Sequence, residues 1–352
     1  MRVGILIVAT AFLLVVGAAS ALSADWEFVL LWQQPIAAGV AALAAGDLKG
    51  GPEPEIAIAT WQNDIRILSC SGEPDTSFSA PPTRGNITLL TIGRGEKHNF
   101  VAAAGLWQPH VTGYAHDGRR LWEYEDLKRA GVAGISTVRR GNSDVIAVAY
   151  TGKPGVRVLD ERGGVVSTIS KLNSSFFVAG LDSNGNGREE IVSVPEKLAE
   201  PPKTSMAFYS IAGETVGSVP FPGYTSLVVT ADMNNDGNKD IVSYYGTDSI
   251  TLGVWSRTGK EIWKTELKNS FAPSAIVAAD FNGDKKKEIA AAFPQGQIIV
   301  FKDGKQVAAA QAQQRYPRIA AADVDSDGRA ELLVGDGKGL RAFKLRAKTS
   351  AQ

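Results

Sequence analysis

Four times in the second half of the chain, a run of small apolar residues enters a polar, acidic loop and a second apolar run leaves it. The segments read FVAGLDSNGNGREEIVSV from Phe177, LVVTADMNNDGNKDIVSY from Leu227, AIVAADFNGDKKKEIAAA from Ala275 and IAAADVDSDGRAELLVG from Ile319. Their first aspartates, Asp182, Asp232, Asp280 and Asp323, are spaced by 50, 48 and 43 residues. The same step carried towards the amino terminus puts Asp47 in register, within AALAAGDLKGGPEPEIAIA. Two weaker copies fill the gap, LLTIGRGEKHNFVAAAG around Ile92 and ISTVRRGNSDVIAVAY around Val138. Seven copies at a step of about 47 residues predict stacked supersecondary units.

Each unit reads as β throughout. The apolar runs flank the loop, a strand such as IRILSC, ITLGVWS or QIIVFKD follows, and a glycine-bearing turn (Thr258-Gly259, Asp303-Gly304) leads to a last strand. Four short antiparallel strands per unit make a propeller blade, because radial packing buries both faces of each sheet and protects its edges. Small residues suit the inner strands, where blades crowd the axis. Leu121-Trp122 and Ile262-Trp263 fall in fourth strands, and Leu31-Trp32 lies on the same lattice with no first three strands before it. The seventh copy ends in LRAFKLR with no fourth strand of its own. The fold expected is therefore an all-β, seven-bladed propeller over residues 22–345, with the stretch around Phe28–Trp32 closing the last blade and 346–352 as a tail.

Composition narrows the class. The chain has 352 residues, 44% of them apolar, and 37 basic against 37 acidic side chains, so it lacks the basic surplus that phosphate backbones require. One cysteine, Cys70, precludes an internal disulfide, and three histidines leave little for a Cys/His zinc site. Met1-Arg2, the apolar stretch GILIVATAFLLVVGAA and Ala19-Ser20-Ala21 read as a signal peptide over residues 1–21, predicting an exported protein, periplasmic or secreted, that no longer spans a membrane.

The acidic loops carry the chemistry. Loop seven offers Asp323, Asp325, Asp327 and Glu331, with Gly328 at the turn and the Arg329 carbonyl at the seventh position. Oxygens at positions 1, 3, 5, 7 and 9 of a tight loop converge on a hard cation, and several carboxylates without nitrogen or sulfur favour Ca²⁺. Loop five supplies Asp232, Asn234, Asp236, Asn238 and Asp240; loop four supplies Asp182, Asn184, Asn186, Arg188 and Glu190. Loop six supplies Asp280, Asn282, Asp284, Lys286 and Glu288, with Lys285 where the others have glycine. Arg188, Asn238 and Lys286 would act, like Arg329, through backbone carbonyls. Carboxylate count puts loop seven first, five and six level and four last, and Lys285 at the glycine position sets six below five, for up to four ions. Loop one has Lys49 between Asp47 and Glu55, an ammonium expected to pair with both carboxylates in place of an ion. Loops two and three put Ile92, Arg94, Val138 and Arg140 at ligand positions and should bind none.

These D-x-[DN]-x-[DN]-G-x-x-[DE]-[IVL] loops, with the Ala-rich strand before each, resemble the FG-GAP and VCBS-type repeat family, the calcium-loop propellers that include integrin α-subunit heads. The resemblance is strong from Phe177 to Leu345. It implies a secreted propeller braced by calcium, usually without catalysis, that binds protein or glycan partners. The FG and GAP signatures themselves are not recognisable here.

Candidate ligand-binding residues are Trp61 and Trp107, 46 apart in the loops between second and third strands. Phe293 and Tyr245 sit near equivalent places in later blades, and Phe176, Tyr224, Phe271 and Tyr316 precede first strands. Packing between blades is the competing reading for all of them. No G-x-S-x-G, G-x-x-x-x-G-K-[ST] or G-x-G-x-x-G motif is present. A non-catalytic binding or scaffold module is the expectation. The alternative is a propeller enzyme such as a polysaccharide lyase or a quinone-cofactor dehydrogenase, which the D-G-x-x-L-W turn faintly suggests.

Overall fold

β-Branched residues on both sides of each acidic loop favour extended chain, and Gly-bearing turns return it. In the computed structural model this gives seven four-stranded antiparallel sheets. The structure describes residues 25–80, 85–126, 130–172, 174–193, 205–223, 225, 227–246, 249–267 and 271–348. The expected signal peptide at 1–21 and Tyr224 lie outside the described residues.

Blade one runs outward through Val40–Gly46, Glu55–Thr60, Asp64–Leu68 and Pro74–Ser79, and blades two to six repeat that order. First strands of successive blades touch one another around the ring, including Val40–Gly46 of blade one against Arg318–Ala322 of blade seven. The alanine-rich runs are thus the inner strands, as crowding at the axis demands. Blade seven takes Arg318–Ala322, Glu331–Asp336 and Gly339–Ala347 from the end of the chain and Trp26–Pro35 from its start. Phe28 pairs with Leu345 and Trp32 with Ala342, so the amino-terminal strand closes the ring. The last strand runs two residues past the expected boundary, with Arg346 opposite Glu27 and Ala347 opposite Trp26.

The packing lies between blades. One buried cluster joins Ile56, Ile58 and Leu68 of blade one to Leu333, Leu340 and Ala342 of blade seven. Burying one such side chain contributes about 1.5–3 kcal/mol. At the rim, the Leu/Ile-Trp pairs have a geometric cause. A one-residue bulge interrupts the fourth strand, skipping Leu121 in blade two, Ile262 in blade five and Leu31 in blade seven. The tryptophan after the bulge is thereby turned onto the next blade. Trp32 lies on Gly72 and Trp122 on Gly163, so close that a Cβ on either glycine would approach within 2.6 and 3.0 Å of the ring. Both glycines have positive φ, 82° and 78°, which the tight turn needs.

Candidate metal loops and an aromatic face

The acidic loops join first to second strands and therefore share one end of the ring with the third-to-fourth turns. Loops four to seven have one backbone. Position 4 is left-handed in each (Gly185 77°, Asn235 60°, Gly283 81°, Ser326 59°), and so is position 6 (Gly187 78°, Gly237 85°, Lys285 72°, Gly328 85°). Lys285 therefore adopts the glycine conformation at a cost of about 1–2 kcal/mol. The first aspartate is held by the position-6 N–H, from Gly187 to Asp182 at 2.8 Å, Gly237 to Asp232 at 3.0 Å, Lys285 to Asp280 at 2.7 Å and Gly328 to Asp323 at 2.9 Å. The ninth-position carboxylate spends one oxygen on the position-2 N–H. Ser183 donates to Glu190 at 2.7 Å, Met233 to Asp240 at 3.0 Å, Phe281 to Glu288 at 3.0 Å and Val324 to Glu331 at 2.9 Å.

The other oxygen distinguishes the loops. In loops four and six it accepts from an asparagine amide, Asn184 to Glu190 at 3.1 Å and Asn282 to Glu288 at 2.8 Å. In loop seven Oε1 of Glu331 is buried and accepts no hydrogen bond. Asp323, Asp325 and Asp327 each bring an oxygen within 4.8 Å of the others beside it. Burial, with Asp325 and Asp327 adding to it, pushes Glu331 up to about 7. Glu288 is likewise pushed up to about 7 and Asp240 to about 6, burial leading in both. Carboxylates so withdrawn from water and crowded by like charge fit a divalent cation, which at Glu331 would give the oxygen that accepts no hydrogen bond a close partner. Asp323, Asp325, Asp327, Glu331 and the Arg329 carbonyl would hold it in loop seven, with the corresponding positions in the other three loops.

Two lysines bear on these loops that the loop sequences do not contain. Phe343 pairs with Leu332 and Phe301 with Ile289, so Lys344 and Lys302 occupy the same place at the third strand. Lys344 Nζ lies 2.6 Å from Asp325, contacts Asp327 and is 4.0 Å from Glu331. Lys302 contacts Asp284 and is 3.5 Å from Glu288. Loops four and five have Ser210 and Ser256 there, one residue past Tyr209 and Trp255. The repeated Phe-Lys dipeptide was the available sequence signal. In loop one, Lys49 does not bridge Asp47 and Glu55 as expected. Its ammonium pairs with Asp75 of the fourth strand at 2.8 Å and only approaches Glu55 at 4.0 Å. Asp47 instead accepts the Gly50 N–H at 2.5 Å.

The opposite end of the ring, formed by second-to-third turns and links between blades, has a different character. Trp61, Leu106, Trp107, Phe271 and Tyr316 are all exposed there, Trp107 at 55% and Tyr316 at 54%. Trp107 and Tyr316 hold positive φ of 65° and 54°. Phe176 packs edge-on against Trp107 at 6.5 Å. The remaining aromatics are packing residues: Phe293 is fully buried, and Tyr245 lies against Phe221 and Trp255.

Radial seven-sheet closure and the repeated acidic loops define a seven-bladed β-propeller. Residues 232–291, which span loops five and six, match the model of the FG-GAP-like repeat. No curated protein matches the chain in sequence. Among solved structures, the crystal structure of BBS1N in complex with ARL6DN is similar at a TM-score of 0.67 and 12% identity, covering 92% of this chain and 98% of that one. The WD40 β-propeller domain of Doa1 aligns at a TM-score of 0.63 and 11% identity, with the same coverage of 92% and 98%. At these identities the likeness concerns the fold.

Proposed function

We propose that this chain is an exported, non-catalytic propeller that calcium braces through loops four to seven and that binds a protein partner on its aromatic face. The observation that carries the calcium part is the buried Oε1 of Glu331, which accepts no hydrogen bond and has only the Lys344 ammonium at 4.0 Å, beside three converging aspartates. A cation bound there ties first strand, second strand and loop together in one blade, and mass action then stabilises the folded ring. Blades one to three have no such loop. Bracing therefore falls on the second half of the ring.

The binding part is supported by five large apolar side chains exposed at one end of four different blades or their links. Trp, Tyr and Phe are the residues that interfaces concentrate. BBS1N, similar in fold, was crystallised in complex with ARL6DN. The calcium part is tested by titrating chelator-treated protein in a calorimeter and reading the melting temperature with and without the metal. Uptake of up to four ions with a higher melting temperature is expected. No uptake and no shift would discard the calcium part and leave the aromatic face to be judged by binding alone.

A further inference from the structure

On the aromatic face, between blades seven and one, lies a cleft of about 220 Å³ lined by Trp61, Gln314, Arg315, Tyr316, Arg318 and Asp336, among others. Its walls are built rather than incidental. Trp61 is seated against Gly39, where a Cβ would meet its ring at 3.1 Å. Gly337 leaves room for Gln314, whose amide oxygen would stand 1.7 Å from a Cβ there. Tyr316 precedes Pro317 yet holds a left-handed φ of 54°, fixed by its N–H to the Pro294 carbonyl at 3.0 Å. An exposed ring kept in a disfavoured backbone state is the kind of strain that marks binding sites.

The charge in the cleft is unbalanced. Asp336 is buried and already taken, by Arg341 at 2.6 Å and by the Gln313 and Lys338 N–H groups at 3.1 and 2.9 Å. Arg318 gives its Nε to the Ala41 carbonyl at 2.8 Å and has no carboxylate within ion-pair range among the described residues. Burial lowers its affinity for its proton. Arg315 lies 5.8 Å from the Tyr316 ring. A half-buried guanidinium without a counter-ion, between two aromatic walls, calls for a carboxylate delivered with an apolar neighbour. The exposed apolar residues extend from here to Trp107 and Phe271, a breadth that fits a macromolecular surface rather than a single sugar ring.

We propose that this cleft is the anchor pocket for the protein partner and takes an aspartate or glutamate side chain set beside an apolar one. The proposal rests on the reading of the aromatic face as a protein-binding face. The test uses the full mature chain and an array of twelve-residue capped peptides. Each carries one Asp or Glu beside Leu, Phe or Pro, and each is matched to its Asn or Gln counterpart; oligogalacturonate serves as the glycan probe. The strongest peptide is then titrated against wild type, W61A, Y316A, R318Q, R318K and W107A. Carboxylate peptides should bind at least tenfold more tightly than their neutral counterparts. W61A and Y316A should each lose tenfold or more with the melting temperature unchanged. R318Q should erase the carboxylate preference, and R318K should keep part of it. A peptide that W107A weakens while W61A and R318Q do not would overturn the anchor pocket and leave the face reading standing. Absence of peptide binding, indifference to the carboxylate, or binding of oligogalacturonate alone would each overturn the proposal.

Discussion

At the scale of single residues, the position of one ammonium changes the ranking of the candidate metal loops. Counting carboxylates puts loop seven alone at the top, but Lys344 already answers two of its aspartates, and Lys302 does the same for Asp284 in loop six. Loop five has Ser256 at that place, and the cation bearing on it is the Arg257 guanidinium, which helps hold Asp236 below the usual carboxylate range. Lys344→Met should tighten one calcium site by roughly tenfold, and Ser256→Lys should weaken another by a similar factor, since ligand charge sets affinity. Site-resolved calorimetry checks both; unchanged isotherms would mean that the lysines swing clear of the ion. The loops themselves were legible in the sequence because their acidic and amide side chains lie within nine consecutive positions. The lysines were not, because they arrive from a third strand whose register only the folded sheet defines. The same reason explains Lys49, whose partner Asp75 sits on the fourth strand of its blade.

At the scale of elements, the outer strand of each blade depends on a bulge, and in three blades on a tryptophan that lies over a glycine of the next. Gly163→Ala forces a Cβ to 3.0 Å from Trp122 at a φ of 78°, whereas Gly152→Ala has a similar φ of 87° and open space around it. The first should cost about 1–3 kcal/mol more than the second in urea unfolding, the difference being the ring contact. Equal losses would leave only the backbone cost. The tryptophan lattice could be read from the chain because the repeat step preserves it. Its glycine partners could not, because the contact crosses between blades. Removing residues 25–34 takes away the strand paired with Gly339–Ala347 and exposes that edge. The truncated chain should aggregate, or melt lower by on the order of 10 °C or more. Melting within a few degrees of the parent would mean that blade seven holds without closure.

At the scale of the whole molecule, the two ends of the ring differ in character: charged loops lie at one, aromatic turns at the other. Blade number and closure were legible because seven copies share a step and the termini complement each other. The aromatic face was only half legible. Trp61 and Trp107 are exposed, but Phe293 is buried, and the cleft beside Tyr316 exists only because the last blade meets the first. The buried carboxylates of the acidic loops also set a pH dependence. Burial pushes Glu288 and Glu331 from the ordinary 4.5 up to about 7 in the folded chain, so their burial penalty is absent below about 4.5, grows as pH rises from there and is complete only above about 7. Calcium-free protein should therefore gain thermal stability between pH 8 and pH 6, and saturating calcium should abolish that gain because the ion takes the place of the proton. The most direct measurement is a melting curve of chelator-treated protein at pH 8 with calcium added back stepwise, alongside D325A. A rise in melting temperature that follows calcium concentration, and is smaller in D325A, is the predicted result. A melting temperature indifferent to chelator and to calcium would contradict the account.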